Sequence, residues 1–260
     1  RRKKIEVEDL KLAAGKFGLE VLPKTVRPFG TGLIHETWCV ETFRGGHLLQ
    51  RLNPRVFPDL EATAGNAAAA ALRVDDALRR QDDDDPRHRL TYLTGPDGNP
   101  WFRDEAGAVW RAAVLIPGSR PADAADHREV HAAARELGRF PGLVSAGSGP
   151  ELRVTLPGFH DTRARFANLV AVAEDDSHDR KINCRAELSR LVELELLADR
   201  IPARKLPTRF VHNDAKLDNV LVDASTGEAL CVIDLDTVMP GPAPHDFGDL
   251  VRSAVTGRPE

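Results

Sequence analysis

The run Phe210-Val211-His212-Asn213-Asp214-Ala215-Lys216-Leu217-Asp218-Asn219 sets an Asp, a Lys two residues on and an Asn five residues on in one short loop. A second run, Ile233-Asp234-Leu235-Asp236, brings another acid to the end of an apolar stretch. A base, a cation and two hard oxygen ligands delivered to one place are what phosphoryl transfer from a nucleotide requires. In that chemistry Asp214 is the candidate base, accepting or orienting the proton of an attacking hydroxyl. Asn219 and Asp234 are the candidate metal ligands, a sparse oxygen set suited to Mg²⁺, which keeps phosphate oxygens and water around it. Lys216 offsets charge on the group in transfer. His212 reads as an anchor of the loop through hydrogen bonds rather than as a proton carrier. Asp236 stands between two readings, assisting a second ion or capping the next turn, with the structural one preferred. The bland alternative for the whole stretch is an acidic surface loop. It does not account for the joint spacing, the apolar run on each side and the second acid at a strand end.

These residues need elements to hold them. Residues 220–223 and 229–234, separated by the turn Ala224-Ser225-Thr226-Gly227-Glu228, read as a hairpin that returns Asp234 towards the first loop. Asp246 and Asp249, in His245-Asp246-Phe247-Gly248-Asp249, are expected to tie the loop to a following helix. Upstream, residues 8–17 have helical spacing stopped by Gly18, and 19–27 read as a first strand. Pro28-Phe29-Gly30-Thr31-Gly32 is a turn with two glycines. Its functional reading is a flap whose Gly30, Thr31 and Gly32 backbone N–H groups approach nucleotide phosphates; its plain reading is a turn. Strands at 37–43 and 47–52 flank a turn at Arg44-Gly45-Gly46. Asp59 is a candidate cap for an Ala-rich helix over 60–80, and the four aspartates 82–85 read as a solvated loop tip. Short strands at 90–93, 101–102 and 109–116 precede a break at Pro117-Gly118, and helices at 123–139, 166–173 and 185–199 follow. The expected organisation is α+β and bilobal: a sheet-rich nucleotide-binding lobe over 1–117, then a mainly helical catalytic and substrate lobe over 118–260.

A chain of 260 residues, 42% hydrophobic, fills one large or two modest domains. Net charge −4 gives no polybasic signature, which argues against a nucleic-acid partner. The three cysteines, Cys39, Cys184 and Cys231, lie far apart, without zinc spacing, and fit reduced thiols in the cytoplasm. The basic start lacks the apolar core of a signal peptide, and no apolar run reaches the roughly 18 residues that span a bilayer, so a soluble chain without a membrane partner is expected.

Several segments together resemble the aminoglycoside phosphotransferase/choline kinase family within the protein-kinase-like fold, and more narrowly its N-acetylhexosamine 1-kinases. They are Gly30-Thr-Gly-Leu-Ile-His-Glu-Thr-Trp38, Leu48-Leu-Gln-Arg-Leu-Asn53, Val56-Phe-Pro-Asp59, Phe159-His-Asp-Thr162, His212 to Asn219, Asp223 to Glu228, Val232 to Gly241 and Asp246-Phe-Gly-Asp249. The block over 212–249 is the most specific. The resemblance implies a bilobal kinase fold and ATP- and Mg²⁺-dependent phosphorylation of the anomeric hydroxyl of GlcNAc or GalNAc. It implies Asp214 as base, also meeting the substrate, with Asn219 and Asp234 on the metal, and directs His35 towards the sugar. Where ordinary kinases place a strand Lys, this chain reads Leu49-Gln50-Arg51, and Gln50 is the residue that similar sugar kinases carry there on the nucleotide side. Such enzymes run on past the point where Glu260 stands, so a truncated chain is expected. The alternatives are a phosphotransferase for an aminoglycoside or choline-like hydroxyl compound, or a truncated nucleotide-binding pseudokinase.

Overall fold

In the computed structural model, residues 5–30, 34–200 and 205–256 are described. Two compact units divide the chain: Arg1–Thr155 with Arg209–Glu260, and Leu156–Thr208. The break expected at 117–118 lies inside the first unit.

The first unit begins with helix α1 (Val7–Gly15), whose Leu10, Ala13 and Ala14 are buried with the apolar face of an antiparallel sheet. That sheet has the order β1-β2-β3-β5-β4. Its strands are β1 (Arg27–Pro28), β2 (Glu36–Thr42), β3 (Gly45–Arg51), β4 (Phe102–Arg103) and β5 (Val109–Val114). Alternation in β2 and β3 sends Val40 and Leu49 inward to meet Trp110 and Phe102. The strand expected over 19–27 is a correction: only a bridge at Val21 and the two residues of β1 pair. Pro23 removes a donor and Lys24 turns the backbone to φ 61, so the ladder cannot run through. The β2–β3 turn is tighter than expected, since pairing continues to Thr42↔Gly45 and leaves Phe43-Arg44 at the tip. Residues 90–93 contribute only the bridge Tyr92↔Ala113.

Asp59 caps helix α2 (Leu60–Arg79), its carboxylate accepting the Ala62 N–H at 3.0 Å. Ala67 to Ala71 are all buried, and such small side chains let neighbouring elements approach on several sides. Helix α3 (His127–Ala146) packs against α2. It runs past the expected end at 139 and through Pro141, because Phe140, Leu143 and Val144 are buried and hold the turn wound. The aspartates of 82–85 are less free than the sequence suggests: Asp83 accepts from His88 at 2.9 Å, and Asp85 accepts the Arg87 N–H at 2.9 Å.

A second sheet, β6 (Ser119–Pro121), β8 (Val220–Asp223) and β9 (Ala229–Val232), has the order β6-β8-β9. Strand β7 (Thr208–Val211) pairs with β10 (Met239–Pro242), and helix α6 (Pro244–Thr256) ends the described chain. Val220, Val222 and Val232 join α2 and α3 in the larger core, together with Ala215, Leu217, Leu235 and Val238. The candidate loops are therefore seated directly on packed apolar residues.

The second unit holds α4 (Thr162–Asp175) and α5 (Arg185–Glu193), then a 3₁₀ turn over Glu195–Asp199. The single helix expected over 185–199 thus breaks after Glu193. Arg163 ties α4 to the turn through Glu195 at 2.7 Å and through Asp199. Leu191 and Val192 are exposed. No helix among the described residues is long and apolar enough to cross a membrane.

Candidate active site

Strand β7 delivers His212, Asn213 and Asp214 to the top of the core, and the β8–β9 hairpin returns Asp234 to the same place. The register Val220↔Val232 and the bond from the Ile233 N–H to the Asn219 carbonyl, 2.9 Å, set the two loops side by side. His212 is fully buried, and its Nε2 donates to the Ile233 carbonyl at 2.9 Å. This is the anchoring role read from the sequence. Asp246, near the start of α6, accepts the N–H groups of His212 at 2.8 Å and Asn213 at 2.7 Å. Burial pushes its carboxyl up, and those two donors pull against it.

Within this frame Asp214 is partly exposed. Its Oδ2 accepts from Lys216 Nζ at 3.0 Å and from Asn219 Nδ2 at 3.2 Å. Asn219 also donates to the Asp214 carbonyl at 2.8 Å, which fixes its amide. Burial alone would lower the Lys216 ammonium, but the Asp214 carboxylate, aided by Asp234 and Asp218, outweighs it and the net direction is up. Lys216 therefore stays charged beside Asp214. Asp234 accepts no hydrogen bond and makes no ion pair among the described residues. Burial raises its carboxyl, and the neighbouring Asp236 and Asp214 charges add to that. An acid crowded by other acids and left without a cation, beside an amide oxygen held in place, fits a small hard cation. Among the described residues no group of three or more His, Cys, Asp or Glu stands ready for a metal.

Asp236 is not free for that ion. It is buried, and Arg111 of β5 grips both its oxygens, Nη2 to Oδ2 at 2.8 Å and Nη1 to Oδ1. His35 Nε2 donates to Oδ2 at 2.9 Å. Burial alone would raise the Asp236 carboxyl, but Arg111 and His35 hold it well below the usual carboxylate range. His35 itself is committed on both sides, since Nδ1 accepts the Asn53 N–H at 3.1 Å and the ring stacks on Phe57 at 5.4 Å. Gln50 is spent within the sheet. Its Oε1 accepts from Arg111 at 2.8 Å and its Nε2 donates to Thr37 at 3.1 Å. Gly30, at φ 72, is exposed two residues beyond β1, while Thr31 and Gly32, expected on the phosphates, lie outside the described residues.

Sequence reasoning missed Arg111 and Asn66. Arg111 was visible as the one charge in the apolar run Val109-Trp-Arg-Ala-Ala-Val114, which demands a buried partner. Asn66 sits among alanines of α2, where its Nδ2 donates to the carbonyls of Val238 at 3.1 Å and Arg153 at 2.7 Å. A cavity of about 630 Å³ lies between α2 and residues 90–101, lined by Leu72, Tyr92 and Trp101, but not by Asp214, Asn219 or Asp234. Hydrogen-bond geometry rather than empty volume marks the candidate site.

The model of the phosphotransferase enzyme family matches residues 25–260, and the chain belongs to that family, small-molecule phosphotransferases of protein-kinase-like fold. Among solved structures it is similar to the spectinomycin phosphotransferase APH(9)-Ia in complex with ADP and spectinomycin. That pair has 14% identity, covers 99% of this chain and 81% of that one, and gives a TM-score of 0.57. An aminoglycoside phosphotransferase from Alicyclobacillus acidocaldarius has 16% identity, 98% and 73% coverage and a TM-score of 0.59. The choline kinase LicA from Streptococcus pneumoniae has 15% identity, 95% and 74% coverage and a TM-score of 0.56.

Proposed function

We propose that this chain transfers the γ-phosphate of ATP to the anomeric hydroxyl of an N-acetylhexosamine, GlcNAc or GalNAc, giving the sugar 1-phosphate. The observation that carries the reading is the Asp214–Lys216–Asn219 cluster set beside an Asp234 with no cation of its own. Asp214 receives or orients the hydroxyl proton, the acceptor oxygen bonds to the γ-phosphorus, and the bond to the β–γ bridging oxygen breaks. Lys216 lies where charge spreads over the transferring group. Asn219 and Asp234 would hold Mg²⁺, which when bound would offset triphosphate charge. On the motif resemblance, the Gly30-Thr31-Gly32 turn would serve the phosphates from a nucleotide-binding lobe over 1–117, and 118–260 would form the catalytic lobe. Gln50, held by Arg111 and Thr37, would meet the nucleotide only by exchanging one of those bonds. The cysteines, all free, suit a cytoplasmic setting.

The acceptor rests on the motif resemblance over 30–59, 159–162 and 212–249. His35, directed towards the sugar by that resemblance, meets it only by exchanging its bond to Asp236. A second acceptor class, aminoglycosides or choline, is supported by the names of the similar structures. A panel of GlcNAc, GalNAc, spectinomycin and choline with ATP and Mg²⁺, read by phosphorus NMR, separates them. A sugar 1-phosphate resonance is expected. A phosphorylated antibiotic or choline alone overturns the sugar reading, and nucleotide binding without any phosphorylated acceptor points to a pseudokinase.

A further inference from the structure

We propose that Arg111 is a positioning residue for the Asp234 carboxylate, acting through Asp236. The proposal rests on the phosphotransferase reading above and adds to it a residue that never touches the nucleotide.

Asp234 stands at φ 60 and ψ 55, in the left-handed region that a side chain disfavours by about 1 kcal/mol, so its surroundings must hold it there. The 3₁₀ turn Leu235–Thr237 follows immediately. Its far side is pinned through backbone atoms: Asn213 Nδ2 donates to the Thr237 carbonyl at 3.0 Å, and Asn66 Nδ2 to the Val238 carbonyl at 3.1 Å. Thr237 Oγ1 also donates to the His212 carbonyl at 2.7 Å, and Leu235 is buried in the core. The centre of the turn, Asp236, is held by Arg111 of the sheet and by His35. Arg111 comes from β5, whose register places it opposite Gln50 of β3. Gln50 braces the guanidinium at Nε, and Tyr92 lies under it at 5.3 Å. The fork is thereby fixed before it reaches Asp236.

A buried Arg–carboxylate pair adds little net stability compared with apolar side chains of the same size. What it supplies is a planar, bidentate geometry that neither apolar contact nor a lysine reproduces. It also accounts for the uncharged Gln50. The sheet's cation arrives from the neighbouring strand and is spent on the acid two residues after Asp234, which leaves Asp234 for the ion.

The test is calorimetric titration of ATP with and without Mg²⁺ into the wild-type chain, Arg111→Lys and Asp236→Asn, with thermal melts to establish folding. Asp236→Asn keeps the side-chain shape and serves where Arg111→Lys fails to fold. Mg²⁺ is expected to tighten ATP binding in the wild type. Both variants are expected to lose about 10-fold or more of that tightening, the scale of a displaced supporting contact, while metal-free affinity stays within about 2-fold. The double variant is expected to do no worse than the worse single one, as for residues acting as one unit. A folded variant that keeps the full Mg²⁺ gain overturns the proposal. So does equal loss of metal-free and Mg²⁺-dependent binding, which marks a mere strut. Absence of any Mg²⁺ gain in the wild type instead overturns the Mg²⁺ site at Asn219 and Asp234, and the proposal with it, and the wild-type arm alone reveals it.

Discussion

Asn219 and Asp214 are joined twice: the Asn219 amide donates to the Asp214 backbone carbonyl at 2.8 Å and to its carboxylate at 3.2 Å. One side chain thus sets both the shape of the loop and the aim of the Asp214 carboxylate, and its oxygen is the proposed metal ligand. Asn219→Ala removes all three contributions, and kcat is expected to fall by about 10²-fold or more, with more Mg²⁺ needed for half-maximal rate. Rates measured across a Mg²⁺ series check this. An unchanged Mg²⁺ requirement takes Asn219 off the ion.

Asp214→Asn keeps the shape of the loop and removes the proton acceptor. Turnover of whichever acceptor the panel identifies is expected to drop by roughly 10³-fold, within the range assigned to a positioned base. Nucleotide affinity is expected to stay within about 3-fold, because the proposed role gives Asp214 the acceptor hydroxyl rather than the triphosphate. Turnover close to wild type removes Asp214 from the chemistry.

Much of this was legible in the sequence, and the exceptions have physical causes. The loop 212–219 and the hairpin behind it could be read because function concentrates there in local spacing. Asp59 follows from a short-range capping rule, whereas Asp246 and His212 are read from the motif, their bonds spanning 34 and 21 positions. The Arg111–Asp236 pair spans 125 positions and the His35–Asp236 pair 201. No local periodicity encodes such partners, and only the burial of a charge in an apolar strand hints at them. The strand at 19–27 failed because one proline and one left-handed lysine outweigh an otherwise favourable pattern. Helix α3 outran its expected end for the opposite reason, since buried Phe140, Leu143 and Val144 outweigh Pro141.

Asn66 links α2 to the turn after Asp234 and to Arg153, whose N–H it also accepts at 3.0 Å. Asn66→Ala leaves the buried Val238 carbonyl and the part-buried Arg153 backbone groups unmatched, and a loss of about 1–3 kcal/mol is expected. Urea unfolding at neutral pH measures it. A loss below about 0.5 kcal/mol, the level of an ordinary surface change, rejects the bridge.

Glu129 of α3 accepts from both guanidinium nitrogens of Arg120, at 2.8 and 2.5 Å, and from the Asp123 N–H at 2.9 Å. The Arg120 hydrogen bonds come first among the causes that hold its carboxyl below the ordinary value. A depressed folded pKa means stability that is present above the unfolded value, near 4.3, and lost as pH falls through the folded one. Glu129→Gln is therefore expected to be less stable than wild type at pH about 7, with the gap closing below pH about 4. Urea midpoints across that range decide it. A gap independent of pH assigns the effect to packing.

Gly147 ends α3 against α2, where an added Cβ would lie 1.8 Å from the Arg73 carbonyl oxygen, a backbone atom that cannot swing aside. Its φ of −74 is open to any residue, so the constraint is contact and not conformation. Gly147→Ala is expected to cost about 3 kcal/mol by forcing the helices apart, lowering Tm by about 6–12 °C in a chain of this size. Gly138, inside the same helix with nothing within 4 Å of its added Cβ, is the matched control. There an alanine is expected to stabilise by about 0.5–1 kcal/mol through lower chain entropy. Parallel melts of the two variants check the pair. Equal shifts for both would mean that helix propensity, and not the close approach to Arg73, governs the end of α3.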